Sequence, residues 1–378
     1  MRKTFVFKLY TSKKNKKLHK QIDVAAGIYN HCIALHKGYF RLFGKHLKKY
    51  QLQKHITKLK KREEYAYWAS VPSQAIQDIT DRIEAAYQLF FKHSKKGGVK
   101  PPSFKKRVKY KSITLKQAGF KLLDGNEIKI GKGDYKFFKS RDIAGEIKTL
   151  TIKRDALGDL YLFFSCDVED ISLNRVMTGK KAGLDFGLKT FLTSSDGTKF
   201  DSPLFFKEGS KKLKQASRSL SSKKKGSNNR HRARIDLVRS HKKIGNQRKD
   251  YHFKLAQQLV KEYDYLFFEN LTIKGMQSLW GRKINDLGFS NFLSIVKYYG
   301  QCLGSQVHLI DKFYPSSKTC HVCQNINEEL SLKDRSWQCL TCSIVHDRDI
   351  NAAINIKIVG ASTIGLGDVR PNNLAITA

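Results

Sequence analysis

Apolar and charged positions interchange through Arg2-Lys3-Thr4-Phe5-Val6-Phe7, and the pattern predicts a strand over residues 2 to 10. From about 11 to 97 the spacing becomes helical, with long polar and basic faces. Its clearest stripe follows Pro72-Ser73, where Ile76, Ile79, Ile83 and Phe90 recur as a core face. Gly97-Gly98 and Lys100-Pro101-Pro102 end that block, because proline cannot supply the N–H a helix needs. Short β segments with Gly and Asp turns then run from about 103 to 178, among them Lys148 to Lys153 and Leu160 to Val168. The first strand and these later ones are expected to build one small β domain, with the helical block inserted between them.

A third region starts near Lys180. Ala182 to Thr193 reads as strand, turn and strand with Asp185 at its middle. Between Lys207 and Lys249 lies a mostly helical, Ser-rich, highly basic stretch containing Lys223-Lys224-Lys225, Arg230, Arg232 and Arg234, with few apolar residues before Ile235 and Leu237. Such a hairpin packs poorly alone, but its charges become useful against a nucleic-acid backbone. Tyr263 to Phe268 is an apolar strand that ends at Glu269. Phe289 to Leu303 then reads as a helix and Val307 to Phe313 as a strand, so β and α elements alternate.

At 378 residues the chain is too long for one ordinary core, and two or three domains are expected. It shows no signal peptide and no apolar run of transmembrane length, which points to a soluble, intracellular protein without a membrane partner. The net charge of +39 repels itself in a compact fold unless a polyanion neutralises it, and nucleic acid is the partner of choice. An acidic membrane surface and a merely soluble basic protein are the alternatives; against the membrane, the basic residues spread through the chain among aromatics instead of forming one amphipathic anchor. Phe104-Lys105-Lys106-Arg107, with Lys109, Tyr110 and Lys111, combines cations and rings as phosphate-tracking, base-stacking surfaces do; a solvated charged loop is the plainer reading.

Cys32, Cys166 and Cys302 stand alone in apolar surroundings as core fillers, whereas Cys320-Cys323 and Cys339-Cys342 are CxxC pairs separated by fifteen residues. Four thiolates at that spacing suit a closed, structural tetrahedral zinc in a reducing compartment, with a redox pair or chance clustering as the alternatives. Gln324 and Ser343 occupy the positions after each second cysteine where glycine often stands, which predicts strained turns or weaker metal binding. Three carboxylates form a second set: Asp185 within Gly183-Leu184-Asp185-Phe186-Gly187, Glu269 after Leu266-Phe267-Phe268, and Asp349 before Ile350-Asn351-Ala352-Ala353. Ionised carboxylates among apolar neighbours need cations or partners. Two Mg²⁺ ions about 4 Å apart would supply these and catalyse phosphodiester hydrolysis. Singly, each acid also reads as a helix cap or salt-bridge partner, Asp349 in particular as a cap.

Gly183-Leu184-Asp185-Phe186-Gly187, Phe268-Glu269-Asn270-Leu271, Ser316-Ser317-Lys318-Thr319-Cys320, Trp337-Gln338-Cys339 and His346-Asp347-Arg348-Asp349-Ile350-Asn351-Ala352-Ala353-Ile354-Asn355-Ile356 resemble, in order and spacing, the TnpB (OrfB) proteins of bacterial and archaeal insertion sequences. The likeness extends to the helix around Ser73 to Phe91, to Pro102-Ser103-Phe104-Lys105-Lys106-Arg107 and to Asp368-Val369-Arg370-Pro371.

The resemblance implies a multidomain α+β and α/β fold. An oligonucleotide-binding-like β-barrel wedge domain (1–10 and 98–178) would hold an inserted helical recognition lobe (11–97). An RNase H-like RuvC nuclease domain (179–319 and 344–360) would follow, with a zinc-ribbon insert (320–343) and a tail (361–378). It implies a guide RNA from the transposon end and target double-stranded DNA cut beside a short motif, in the prokaryotic cytoplasm and nucleoid, with no small-molecule substrate. Carried over, Asp185, Glu269 and Asp349 are the catalytic Mg²⁺ ligands and Cys320, Cys323, Cys339 and Cys342 the zinc ligands. Asp347 is the nearby rival of Asp349. Lys105, Lys106, Arg107, Lys223, Lys224, Arg230, Arg232, Arg234 and Arg335 are candidate nucleic-acid contacts, and Trp337 either joins Arg335 on a DNA strand or packs under the knuckles. Alternative readings are a compact type V CRISPR effector, a eukaryotic Fanzor relative, an RNA-guided regulator that binds without cutting, and a strand-joining transposase.

Overall fold

Strand β1 (Arg2–Lys8) turns Phe5 and Phe7 inward and leaves Val6 exposed, the alternation expected of a half-buried strand. The computed structural model describes residues 1–93, 98–169, 176–331 and 333–367; Gly97 and the tail motif Asp368 to Pro371 lie outside them. The chain divides into two units, Met1–Asp170 and Ile171–Ala378.

In the first unit, β1 is followed by α1 (Asn15–Phe43), α2 (Lys49–Leu59), a 3-10 segment (Glu63–Ser70) and α3 (Ser73–His93). Helix α1 buries Leu18, Ile22, Ala25, Tyr29, Cys32 and His36 along one stripe and stops at Gly44, whose left-handed backbone closes a hydrogen bond to the Phe40 carbonyl. The predicted stripe of α3 is buried at Ile76, Ile79 and Ile83 and half-buried at Phe90. Six strands follow: β2 (Ser112–Leu115), β3 (Phe120–Leu122), β4 (Glu127–Ile130), β5 (Gly133–Lys136), β6 (Glu146–Arg154) and β7 (Leu160–Asp167). They form an antiparallel sheet of order β1-β7-β6-β2 and a smaller sheet β3-β4-β5. The N-terminal strand thus pairs with the later ones across the inserted helices, and helices and strands share one buried cluster.

The second unit carries β8 (Lys181–Phe186), β9 (Thr190–Ser194), β10 (Lys199–Asp201), α4 (Phe205–Ser221), α5 (Asn228–Glu262), β11 (Tyr265–Glu269), α6 (Ile273–Leu287), α7 (Phe289–Leu303) and β12 (Gln306–Ile310). Strands β13 (Ser336–Gln338) and β14 (Val345–Asp347) pair with each other, and α8 (Arg348–Thr363) ends the described secondary structure. The five-stranded sheet has the order β10-β9-β8-β11-β12, with β8, β11 and β12 parallel and β9 and β10 antiparallel. Leu184, Leu266 and Phe268 face a core built with α5 and α7, while Phe267 faces Ile356 and Ala361 of α8, so the apolar run of β11 is covered on both sides. Strand β12 stops at Ile310, short of the expected Phe313, and α6 is a helix that the pattern did not announce, since Gly275 and Gly281 weaken its helical signature.

Candidate metal centres and basic surfaces

Asp185 and Glu269 meet because their strands are neighbours in parallel register. Leu184 pairs with Phe268, so the next residues of each strand, Asp185 and Glu269, emerge side by side at the carboxyl ends. Since Leu184 and Phe268 point to the α5/α7 core, the two acids point to the opposite face, where α8 lies. Two glycine-mediated contacts seat α8 there. A Cβ on Gly183 would lie 2.0 Å from the Ala353 carbonyl oxygen and 2.4 Å from the Lys357 nitrogen, and one on Gly360 would lie 2.3 Å from the Phe267 ring. Helix backbone rests directly on β8 two residues before Asp185, and Asp349 sits one turn before Ala353 on that helix.

The Asp185 carboxyl feels both of the other acids. Burial, and then repulsion from Glu269 and from Asp349, hold the Asp185 carboxyl well above the usual carboxylate range, with Arg348 pulling the other way. Burial alone raises Glu269. Asp185 keeps some solvent exposure at the carboxyl end of β8, an interior strand of the sheet, so it is not sealed in the core. Crowded acids of this kind fit divalent cations, which remove both the repulsion and the desolvation cost. Asp349 does not cap α8. Asp347 does: its side chain accepts from the N–H groups of Asp349 (3.0 Å) and Ile350 (3.1 Å) and pairs with Lys199 at 2.7 Å. Although burial opposes ionisation of Asp347, Lys199 and those N–H donors outweigh it and hold its carboxyl below its ordinary value. Asp347 is therefore occupied, while Asp349 faces the Arg335 guanidinium at 3.7 Å.

The four cysteines form the tighter centre, their sulfurs all within 4.8 Å of one another, with Cys320–Cys342 at 3.6 Å and Cys323–Cys339 at 3.4 Å. A tetrahedral ion with bonds of about 2.3 Å needs sulfurs about 3.8 Å apart, so the donor set fits one metal. Burial and the neighbouring sulfurs push the Cys323 thiol up to about 12, despite a donated backbone N–H. At Cys339 burial is overcome by the N–H groups of Cys342 and Thr341 and by the adjacent thiols, which bring it down to about 6. The turns are strained as the missing glycines imply: Gln324 has φ 66° and Ser343 φ 57°, in the left-handed region. Trp337 is buried beside Cys320, Leu330 and Cys339, which removes it from any DNA surface and leaves it packing under the knuckles.

The basic candidates divide. Arg335, Lys223, Lys224, Arg232 and Arg234 are exposed, the last four on a helical hairpin closed by Leu213, Ala233 and Ile244, where Gly209 admits the Ile244 side chain. Arg230 is instead bound to its own fold, donating to the carbonyls of Leu220 and Lys223 at the end of α4. Lys106 is exposed, as is Phe104. Lys105 lies over the Tyr29 ring and Arg107 pairs with Asp23 at 3.3 Å. Tyr110 is buried, its hydroxyl accepting from Arg82, so it cannot stack on a base.

Residues 163–279 match the OrfB_IS605 family model, described as "Probable transposase", and residues 289–356 match the Cas12f1-like TNB domain. A Streptomyces pristinaespiralis protein named "Putative RNA-guided DNA endonuclease" is 31% identical over 324 residues, covering 84% of this chain and 79% of that protein. InsQ of Escherichia coli K12, with the same description, is 28% identical over 317 residues, covering 79% of this chain and 77% of its own. The chain's fold is similar to that of Cas12f1 in its complex with sgRNA and target DNA, with a TM-score of 0.57, 15% identity, and coverage of 92% of this chain and 83% of that one. Among the described residues no helix is long and apolar enough to cross a membrane.

Proposed function

From the premise that this chain belongs to the OrfB (TnpB) family of IS605-type insertion sequences, we propose that it is an RNA-guided DNA endonuclease cutting with Asp185, Glu269 and Asp349. Its partners are a guide RNA from the transposon end and target double-stranded DNA beside a short recognition motif, met in the prokaryotic cytoplasm. The sheet order with α8 across its face supports an RNase H-like reading of the second unit, with an oligonucleotide-binding-like reading of the first.

The observation that carries the proposal is the placement of Asp185 and Glu269 side by side at the carboxyl ends of parallel strands, on the face covered by the helix whose first turn bears Asp349. Bound there, Mg²⁺ ions would activate water and stabilise the leaving oxygen of a phosphodiester. Asp185 and Glu269, fixed on neighbouring strands, form the rigid side of the cradle. Asp349 completes it from the helix, with Arg335 beside it as an exposed cation able to meet a phosphate. The four thiols would hold a structural Zn²⁺, using all four ligand positions of a tetrahedral ion.

Outside the centre the chain handles backbones by charge and shape, as suits a protein whose sequence reading is delegated to base pairing. The exposed cations of the α4–α5 hairpin, Lys223, Lys224, Arg232 and Arg234, serve that purpose, as does Lys106. Purified protein with its copurified RNA, given matched duplex DNA and Mg²⁺, should cleave both strands, and Asp185→Ala should abolish cleavage with RNA affinity unchanged. Binding without cleavage by the wild type would indicate a regulator, and strand joining a transposase. Full cleavage by Asp185→Ala would remove that residue from the mechanism.

A further inference from the structure

We propose that the cysteine ribbon acts as a clamp on the carboxylate site: Asn351, Asn355 and His346 lock its first knuckle to the helix that carries Asp349, so that metal in the ribbon sets the position of Asp349. The inference rests on the reading of Asp349 as a ligand of the catalytic ions. Polar side chains inside a helix–ribbon contact are costly to bury unless they are satisfied, and here they are spent on the segment that delivers Cys320.

Asn351 is 1% exposed; its Oδ1 accepts the His321 backbone N–H at 3.0 Å, and its Nδ2 donates to the Thr319 carbonyl at 2.8 Å. Asn355, one turn on and fully buried, donates to the carbonyls of Ser316 (2.9 Å) and Thr319 (2.6 Å). Two amides on one helix face therefore hold the backbone on both sides of Cys320. The Asn355 Oδ1 has no partner among the described residues, so the buried amide is held by its two donated bonds to the knuckle backbone. A second connection runs through His346, 3% exposed, whose Nε2 lies 3.1 Å from the Cys320 sulfur. His346 adjoins Asp347, the cap whose carboxylate holds the Asp349 N–H. Both connections start at Cys320 and end within the first two turns of α8.

Metal binding to such a knuckle is ordering energy for everything bonded to it. With the ion in place, the strained Gln324 turn is held and the Thr319 and His321 backbone groups stay where the amides need them. Without it the turn relaxes, the amides lose their partners and the first turn of α8 loosens, moving one wall of the carboxylate cradle. Asn351 and Asn355 are thus positioning residues, acting on Asp349 through the helix.

The test uses the RNA-bound protein and the variants Asn351→Ala, Asn355→Ala and Asp349→Ala, saturated with zinc. Three quantities are read: zinc content, Mn²⁺ binding by electron paramagnetic resonance, and the Mg²⁺ concentration giving half-maximal cleavage. The expected result for both asparagine variants is full zinc content with Mn²⁺ affinity at least ten-fold weaker and the Mg²⁺ requirement raised in parallel. Unchanged Mn²⁺ affinity in both, with Asp349→Ala losing it, overturns the clamp and leaves the carboxylate assignment standing. Unchanged Mn²⁺ binding in Asp349→Ala overturns that assignment and the clamp with it. Should the asparagine variants fail to fold, zinc is displaced from the wild type with a mercurial, and hydrogen exchange is followed over residues 348–356. Faster exchange there on zinc loss supports the clamp, and unchanged exchange overturns it.

Discussion

Gly183→Ala tests how the helix bearing Asp349 is seated on the strand bearing Asp185. The new methyl would lie 2.0 Å from the Ala353 carbonyl oxygen, 2.4 Å from the Lys357 nitrogen and 2.9 Å from the Lys357 Cα, all of them helix backbone that no rotamer change can move aside. An ordinary contact begins near 3.4 Å, so α8 must retreat from β8 by about 1.4 Å or the strand must bow. Overpacking of this kind costs about 1–3 kcal/mol. At about 2–4 °C per kcal/mol for a unit of this size, melting should fall by roughly 2–12 °C. The functional loss should be larger, since misplacing a reacting group by about 1 Å costs on the order of 100-fold in rate. Single-turnover cleavage of matched duplex at saturating Mg²⁺, with guide-RNA affinity measured in parallel, separates the two effects. The expectation is a rate lower by roughly two orders of magnitude, with RNA affinity unchanged because the basic hairpin is untouched. Wild-type rate and melting temperature together would refute the seating argument.

Two more outcomes follow from local strain and from charge. Gln324→Gly and Ser343→Gly each relieve a left-handed backbone cost of about 1–2 kcal/mol, offset in part by the greater freedom glycine has when unfolded. The net gain, about 0.5–1 kcal/mol each, should slow zinc transfer to a chromophoric chelator a few-fold, and faster transfer would count against strain in the knuckles. An acid that holds its proton more tightly folded than unfolded adds stability below its unfolded pKa, near 4 for Asp185, and loses it as pH rises through the raised folded value. Asp185→Asn should therefore match the wild type at about pH 3 and melt several degrees higher at about pH 7.5 in Mg²⁺-free buffer, while cutting nothing. Added Mg²⁺ should narrow that gap by stabilising the wild type, and identical melting at both pH values would sink the account of crowded carboxylates.

Several contributions were legible in the chain because they depend on short spans. The two CxxC knuckles, the strain at Gln324 and Ser343, the stripe of α3 and the basic hairpin all follow from spacing along a few residues. Single-residue roles were less legible. Asp349 and Asp347 both suit a helix start, and only hydrogen-bond geometry gives the cap to Asp347 and leaves Asp349 toward Arg335. Tyr110, Trp337 and Arg230 suit a nucleic-acid surface by type, yet packing buries the two rings and α4 engages the guanidinium.

The sequence by itself determined which acids, thiols and cations this protein carries and which local elements they ride on, because periodicity and short spacings are properties of neighbouring residues. Only the tertiary structure decided that Asp185 and Glu269 end neighbouring strands on the face covered by α8, which bears Asp349 in its first turn. That depends on parallel register between β8 and β11 and on two glycines that admit α8 to the sheet face. Strand register and helix seating are set by complementarity between segments far apart in the chain, and no local pattern encodes such complementarity.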